Sequence, residues 1–566
     1  MSSPAPASPD IRAAIDRKDW VEAEALLRQA LAATPDDAGV LLNLGLALYR
    51  RGELFEAERF LNKAALRGAG APSWLLLAEL FAGQRRDAEA LRAYKAVVKE
   101  HPAHFEALMA LGTLRTRHGD RAGARENFRQ AAAARPDDIE ASLKYAESLW
   151  DEDPEAAVAT TLAALPRAGN DSRARARVLQ AALWQVEFIE RIRRGQMPYH
   201  AAHLDELFFT HARAYLAEFE AAYAALAMDP RDAGAQIGLG LARFSRGDRS
   251  GAEALFGAQS GGILNAARFS PDFHEALRAM PDAELTEGLA PVVTLRPPVR
   301  DAGGVLYLSC DPVYAANFGL PLLCSLRKAS PDTPVHLHLI DATPEDTKRF
   351  TAFCERLAPL RFALTAENPG LGDLPKQEAR IYFHAVRLIR FYEALKLYTC
   401  PLWMTDVDAL ANAPLAGLFA RLAGKDLALR IRPGRLEPQN QFSACAIGVA
   451  PNDRARAYMR QVAAYIAYFR RHGGMRWQID QLALYSVFAD LQDLGTAPAL
   501  GLIGEMDVVL DRYQGGTLWM TAGAQKFGFI EREAQGAAPA DTHYARAFAA
   551  YRSEAKAIAS AFGWEI

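Results

Sequence analysis

Pro401-Leu402-Trp403-Met404-Thr405-Asp406-Val407-Asp408-Ala409-Leu410 is the stretch from which the second half of the chain is read. An apolar run this short, closed by polar residues, predicts a buried strand. Side chains alternate along extended backbone, so Asp406 and Asp408 are expected on one side, with Val407 turned away. Two carboxylates facing the same way repel unless a cation lies between them. Magnesium or manganese, hard ions that favour oxygen and also bind phosphate, meets that need. In open α/β sheets, ligands bind beyond the carboxyl ends of the strands. An isolated Asp-x-Asp is common and is usually a solvated loop pair. Here the apolar run before it and the segments around it favour a site.

Those segments predict alternating strands and helices. Val305 to Asp311 reads as a buried first strand ending in an acid, followed by Tyr314 and Asn317. Ala315 to Lys328 reads as a helix, Val335 to Asp341 as a second strand, and Asp346 to Leu357 as a second helix. His384 to Tyr398 predicts an amphipathic helix that carries Arg387 and Arg390 into the Asp406/Asp408 strand. Ala428–Ile431 and Ala444–Val449 are further strand candidates. Strand-helix alternation argues a mainly parallel sheet with helices on both faces. In Arg476-Trp477-Gln478-Ile479-Asp480-Gln481, an acid and an amide open an apolar helical segment. A plain helix cap is the alternative reading of Asp480.

The first half has a different texture. Residues 11–262 are rich in Ala, Leu, Arg and Glu, which is helical composition. Leu108, Leu111, Gly112, Gly119, Ala124, Phe128, Ala131 and Pro136 recur at the same offsets as Leu41, Leu44, Gly45, Gly52, Ala57, Leu61 and Ala64. Gly45 and Gly112 lie two periods of about 34 residues apart. Partial copies occur at Ala23–Pro35, Trp74–Ala88 and Leu239–Phe256, and the pattern fades between about Pro154 and Pro230. Small residues let the two helices of a hairpin approach, large ones fill the space beside them, and Pro35 and Pro136 end second helices. The pattern resembles the tetratricopeptide repeat. That resemblance implies a solenoid whose concave face takes a protein or peptide partner.

The expected layout is a disordered N-terminus at 1–10, a helical repeat domain at 11–262, a connecting segment at 263–302 and an α/β domain at 303–566. Pro291, Pro297, Pro298, Gly303 and Gly304 punctuate the connection. At 566 residues, more than one domain is expected. A net charge of −3 gives no support to a nucleic-acid partner. Cys310, Cys324, Cys354, Cys400 and Cys445 form no Cys-x-x-Cys pair, which suggests reduced thiols and a cytoplasmic location. The opening residues do not read as a secretory signal, and no membrane-spanning run is found.

Residues 303–530 resemble the GT-A glycosyltransferases, in particular the family 8 type of retaining nucleotide-sugar transferase. The matching pieces are Ser309–Tyr314, Arg387–Arg390, Thr405–Asp408, Gln441–Cys445 and Gln478–Gln481, in that order. The resemblance implies a Rossmann-like domain that uses a nucleotide-diphosphate sugar, most naturally UDP-linked, with manganese or magnesium. It implies Asp311 and Tyr314 against the nucleoside, Asp406 on ribose and metal, and Asp408 on metal. Arg387 or Arg390 would face the diphosphate or donor sugar. Ser443 stands where the family has Asn, Asp480 would hold sugar hydroxyls, and Gln481 would lie near the anomeric carbon. The family closes its site with His-x-x-Gly-x-x-Lys; here Gly523 and Lys526 fit, and Met520 takes the histidine position. A thioether is a poor ligand for a hard cation. His336 and His338 are expected to be packed in the core, and the repeats would recruit the acceptor. The contrasting expectation is a repeat adaptor whose second half has lost its chemistry.

Overall fold

The computed structural model describes residues 8–194, 209–258, 262–432, 435–503, 508–510, 517–520, 530, 533 and 543–566. Contacts divide the chain into two units, 1–189 and 190–566. In the first, paired helices follow the repeat offsets: Ala38–Arg51 with Leu54–Leu66, Ala71–Gly83 with Asp87–Glu100, Phe105–Arg117 with Arg121–Ala134, and Ile139–Leu149 with Pro154–Ala164. Two of these hairpins owe their closeness to a missing side chain. A Cβ placed on Gly112 would meet the Phe128 ring at 2.5 Å, and one on Gly45 would meet Leu61 at 2.6 Å. Aspartates cap several starts: Asp37 accepts from the Val40 N–H and Asp138 from the Ala141 N–H, each at 2.9 Å. The first helix spans Pro9–Asp16, so its opening turn takes in Pro9 and Asp10, which the sequence reading placed in a disordered terminus.

The second unit opens with Arg213–Leu226, Ala233–Ser245 and Arg249–Gly257, which include the late repeat copy. Gly240 again allows a close approach, here to Phe256. The last two of these helices sit on the helix Ile479–Asp493: Phe244 lies edge-on to Tyr485 at 5.4 Å, and Arg249 pairs with Asp493 at 2.5 Å.

The strands are β1 Val293–Arg296, β2 Val305–Cys310, β3 Val335–Ile340, β4 Phe362–Glu367, β5 Leu402–Thr405, β6 Ala409–Ala411, β7 Leu427–Ile431, β8 Phe442–Val449, β9 Leu500–Leu502, β10 Val508–Leu510 and β11 Leu518–Met520. Eight form one mixed sheet in the order β1-β4-β3-β2-β5-β8-β7-β9; the other three pair as β10-β11-β6. β2, β3 and β4 are buried throughout, as befits strands covered on both faces. β1 lies in the expected connecting segment, where it pairs antiparallel with β4 at the sheet edge. Prolines on either side of β1 are compatible with an edge position.

The topology prepares a site. From β2 the chain steps to β3 and β4 on one side, then returns through the helix Lys376–Leu395 to β5 on the other side of β2. β2 is parallel to both β3 and β5. The order therefore reverses between β2 and β5, and a crevice opens beyond their carboxyl ends.

Candidate functional site

Asp311 follows the last residue of β2 and Asp406 the last residue of β5, so both flank that crevice. Asp311 accepts the Tyr314 N–H at 2.8 Å and opens the next helical turn. Burial raises the Asp311 carboxyl above its ordinary pKa, against three backbone hydrogen bonds that lower it.

The expected alternation of Asp406 and Asp408 does not hold. β5 stops at Thr405, and Val407 and Asp408 form a turn into β6. Asp406 continues the ladder, its N–H donating to the Cys445 carbonyl at 3.0 Å. Its side chain is about a quarter exposed, whereas Asp408 is buried. The Tyr314 O–H donates to Asp408 Oδ2 at 3.1 Å. Burial, with Asp408 and Asp406 nearby, holds the Tyr314 phenol far above its usual range.

Arg387 joins the acids. Its Nη1 donates to Asp406 Oδ1 at 2.5 Å; its Nη2 donates to Asp480 Oδ2 at 3.0 Å and to the Ala444 carbonyl at 3.3 Å. Burial opposes its charge, but the two carboxylates outweigh that and raise its pKa. Arg387 is therefore held by acids rather than presented to a diphosphate. Asp480, buried at the start of its helix, also accepts the Gln481 N–H at 2.9 Å. The residue before that helix, Gln478, has φ +71°, a left-handed conformation uncommon for a side-chain-bearing residue. The Gln481 carboxamide oxygen is buried without a hydrogen-bond partner.

Ser443 is buried; its hydroxyl donates to Cys445 Sγ at 3.0 Å and accepts from Arg432 Nη2 at 3.0 Å. Arg390 goes elsewhere. It pairs with buried Glu367, with Glu393 at 2.5 Å and with the Ala290 carbonyl at 2.6 Å, so both its terminal nitrogens are engaged within the fold. His336 and His338 are both buried and share Thr365 Oγ1 at 2.9 Å. Met520 ends β11 through its backbone, and Gly523 and Lys526 lie outside the described residues.

The donor set suits a hard divalent cation in kind, since Asp406 and Asp408 are oxygen ligands. Among the described residues, no group of three or more His, Cys, Asp or Glu is placed to hold a metal. Two carboxylates are thus what these residues offer, with one oxygen of each already hydrogen-bonded. Magnesium sites of one or two carboxylates completed by substrate phosphate and water are chemically ordinary.

Comparison with known proteins bears on most of the first unit. Two family models described as tetratricopeptide repeat match residues 14–80 and 75–139. Residues 14–139 are tetratricopeptide repeats. Solved structures similar to the chain include a tetratricopeptide repeat protein from Parabacteroides merdae ATCC 43184, at 17% identity and TM-score 0.30, covering 45% of this chain and 93% of that one. Another is MamA, at 18% identity and TM-score 0.28, covering 30% and 99%. A third is YrrB, described as a TPR protein with an unusual peptide-binding site, at 15% identity and TM-score 0.28, covering 37% and 95%. No curated protein matches the chain. Among the described residues, no helix is long and apolar enough to cross a membrane.

Proposed function

We propose that the second unit transfers a sugar from a nucleotide diphosphate, most naturally UDP, to an acceptor recruited by the tetratricopeptide repeats. One observation carries this reading. Asp311, Tyr314, Arg387, Asp406, Asp408 and Asp480 come from four segments and converge beyond the carboxyl ends of β2 and β5, where the strand order reverses. Convergence of acids, with Asp408 and Asp480 buried, on a switch-point crevice is the arrangement expected of a ligand site.

A divalent cation held by Asp406 and Asp408 would stabilise negative charge on the leaving diphosphate. The chain's own groups orient the rest. The Tyr314 hydroxyl fixes Asp408, and Arg387 fixes Asp406 and Asp480 relative to each other. Carboxylate oxygens carry more than one lone pair, so Asp480 can still accept from sugar hydroxyls while bonded to Arg387. The unpartnered Gln481 oxygen is a further acceptor beside it. Among the described residues no second carboxylate is placed as a nucleophile, which favours a front-face reaction with retained configuration.

The contrasting reading, a repeat adaptor with a non-catalytic second unit, draws on the Arg387–Asp406 pair and the two-carboxylate donor set. Calorimetry on the purified chain separates the two. UDP, GDP or ADP is expected to bind more tightly with manganese than without, and Asp408→Asn is expected to remove the difference. Binding of no nucleotide with any divalent metal supports the adaptor.

A further inference from the structure

One rim of the large sheet carries more than acids. β8 runs antiparallel to β5 and to β7, so the carboxyl ends of β5 and β7 and the start of β8 lie on the same edge. Along that edge stand Asp406 after β5, Ser443 near the start of β8, and Arg430 near the end of β7, in register with Ser443. With strands about 4.8 Å apart, β7 lies about 10 Å from β5. Arg432 follows two residues after Arg430. Its N–H donates to the Gln441 carbonyl at 2.7 Å and its Nη2 to the Ser443 hydroxyl at 3.0 Å. Arg435 comes next, its carbonyl accepting from the Gln441 side-chain amide.

These three guanidiniums have no carboxylate partner among the described residues. Burial lowers the pKa of Arg432, and the charges of Arg430 and Arg435 lower it further, against the pull of Cys445 and Asp406. Three like charges have been gathered without a counter-ion, beside the acids of the site. A second observation lies in the same place. Gln441 is fully buried, its amide nitrogen is bonded to the Arg435 carbonyl, and its carboxamide oxygen has no hydrogen-bond partner. A buried acceptor left unmet carries the full cost of its lost hydration, so it is suited to an O–H donor arriving with a ligand.

We propose that Arg430, Arg432 and Arg435 form the anion-receiving wall of the crevice and bind the diphosphate group directly, with Gln441 accepting from a hydroxyl of the group attached to it. Planar guanidiniums match phosphate oxygens in pairs, which a point charge does not. The wall supplies positive charge from the chain itself, on the side of Asp406 away from β2. The source of the diphosphate, a nucleotide sugar, rests on the transferase reading; the anion site does not.

Titration of inorganic pyrophosphate into the full chain in excess EDTA tests the proposal. Binding is expected, weakened at least tenfold by Arg432→Ala and measurably by Arg435→Ala, which alters an exposed side chain. Arg432→Lys is expected to retain only part of it. Matching far-ultraviolet circular dichroism and melting temperatures show that each variant folds. Absence of pyrophosphate binding without metal, or binding indifferent to the folded Arg432 and Arg435 variants, overturns the proposal. Arginine-dependent binding with no turnover of any nucleotide sugar keeps the anion wall and removes the transferase. Turnover that depends on manganese and Asp408 but not on the arginines does the reverse.

Discussion

Arg387 binds Asp406 with one nitrogen and buried Asp480 with the other, so each acid is placed relative to the other through a shared cation. Removing one member of a buried ion pair leaves uncompensated charge and costs about 3–5 kcal/mol. Arg387→Met is therefore expected to destabilise the second unit by that order in urea unfolding at pH 7. A loss under about 1 kcal/mol would show that water already compensates Asp480. His336 makes a different residue-scale prediction. Burial, helped by the charge of His338, lowers its pKa from 6.5 to about 3. The unfolded chain then takes up a proton that the folded chain refuses, and stability falls as pH drops from about 6.5 toward 3. By pH 4 that amounts to on the order of 3 kcal/mol. His336→Gln is expected to flatten that part of the pH profile in unfolding measurements, whatever it costs at neutral pH. An unchanged slope would mean that His336 is protonated in the native state.

Elements show which parts of this architecture the sequence could reveal. Gly45, Gly112 and Gly240 announced the hairpins because a 34-residue period repeats one packing problem, and each meets the large side chain that the period predicts. Gly112→Ala is accordingly expected to cost about 1–3 kcal/mol through overpacking against Phe128. Gly119, with φ +78°, is by contrast strained by any side chain for backbone reasons. Urea titration of both variants checks this, and a neutral Gly112→Ala would mean that the Phe128 ring can swing aside. Strands β2, β3 and β5 were legible as apolar runs. The turn at Val407–Asp408 was not, because the apolar residues on either side read as one continuous strand. Only the departure of β6 to pair with β11 breaks the run, and that is a long-range event. β1 was hidden by its flanking prolines. Arg430 and Arg432 carry the same two-residue spacing at a strand end as the aspartates were thought to carry. That signal was present in the sequence, but basic residues after a short strand read as solvated by default. The standing of Arg390 was not legible, since neighbouring turns of one helix point Arg387 toward Asp406 and Arg390 toward Glu367.

At the scale of the molecule, the chain joins tetratricopeptide repeats at residues 14–139 to a mixed-sheet unit in which, among the described residues, acids share one rim with arginines that have no carboxylate partner. A near-neutral net charge of −3 leaves the local fields to decide what binds there. The most direct measurement is nucleotide release from a panel of UDP-, GDP- and ADP-sugars by the purified full chain with manganese. The account predicts release from at least one donor, reduced at least about 100-fold in Asp408→Asn and Asp480→Asn proteins that melt like the parent. No release from any donor, or release undiminished in those variants, would contradict it.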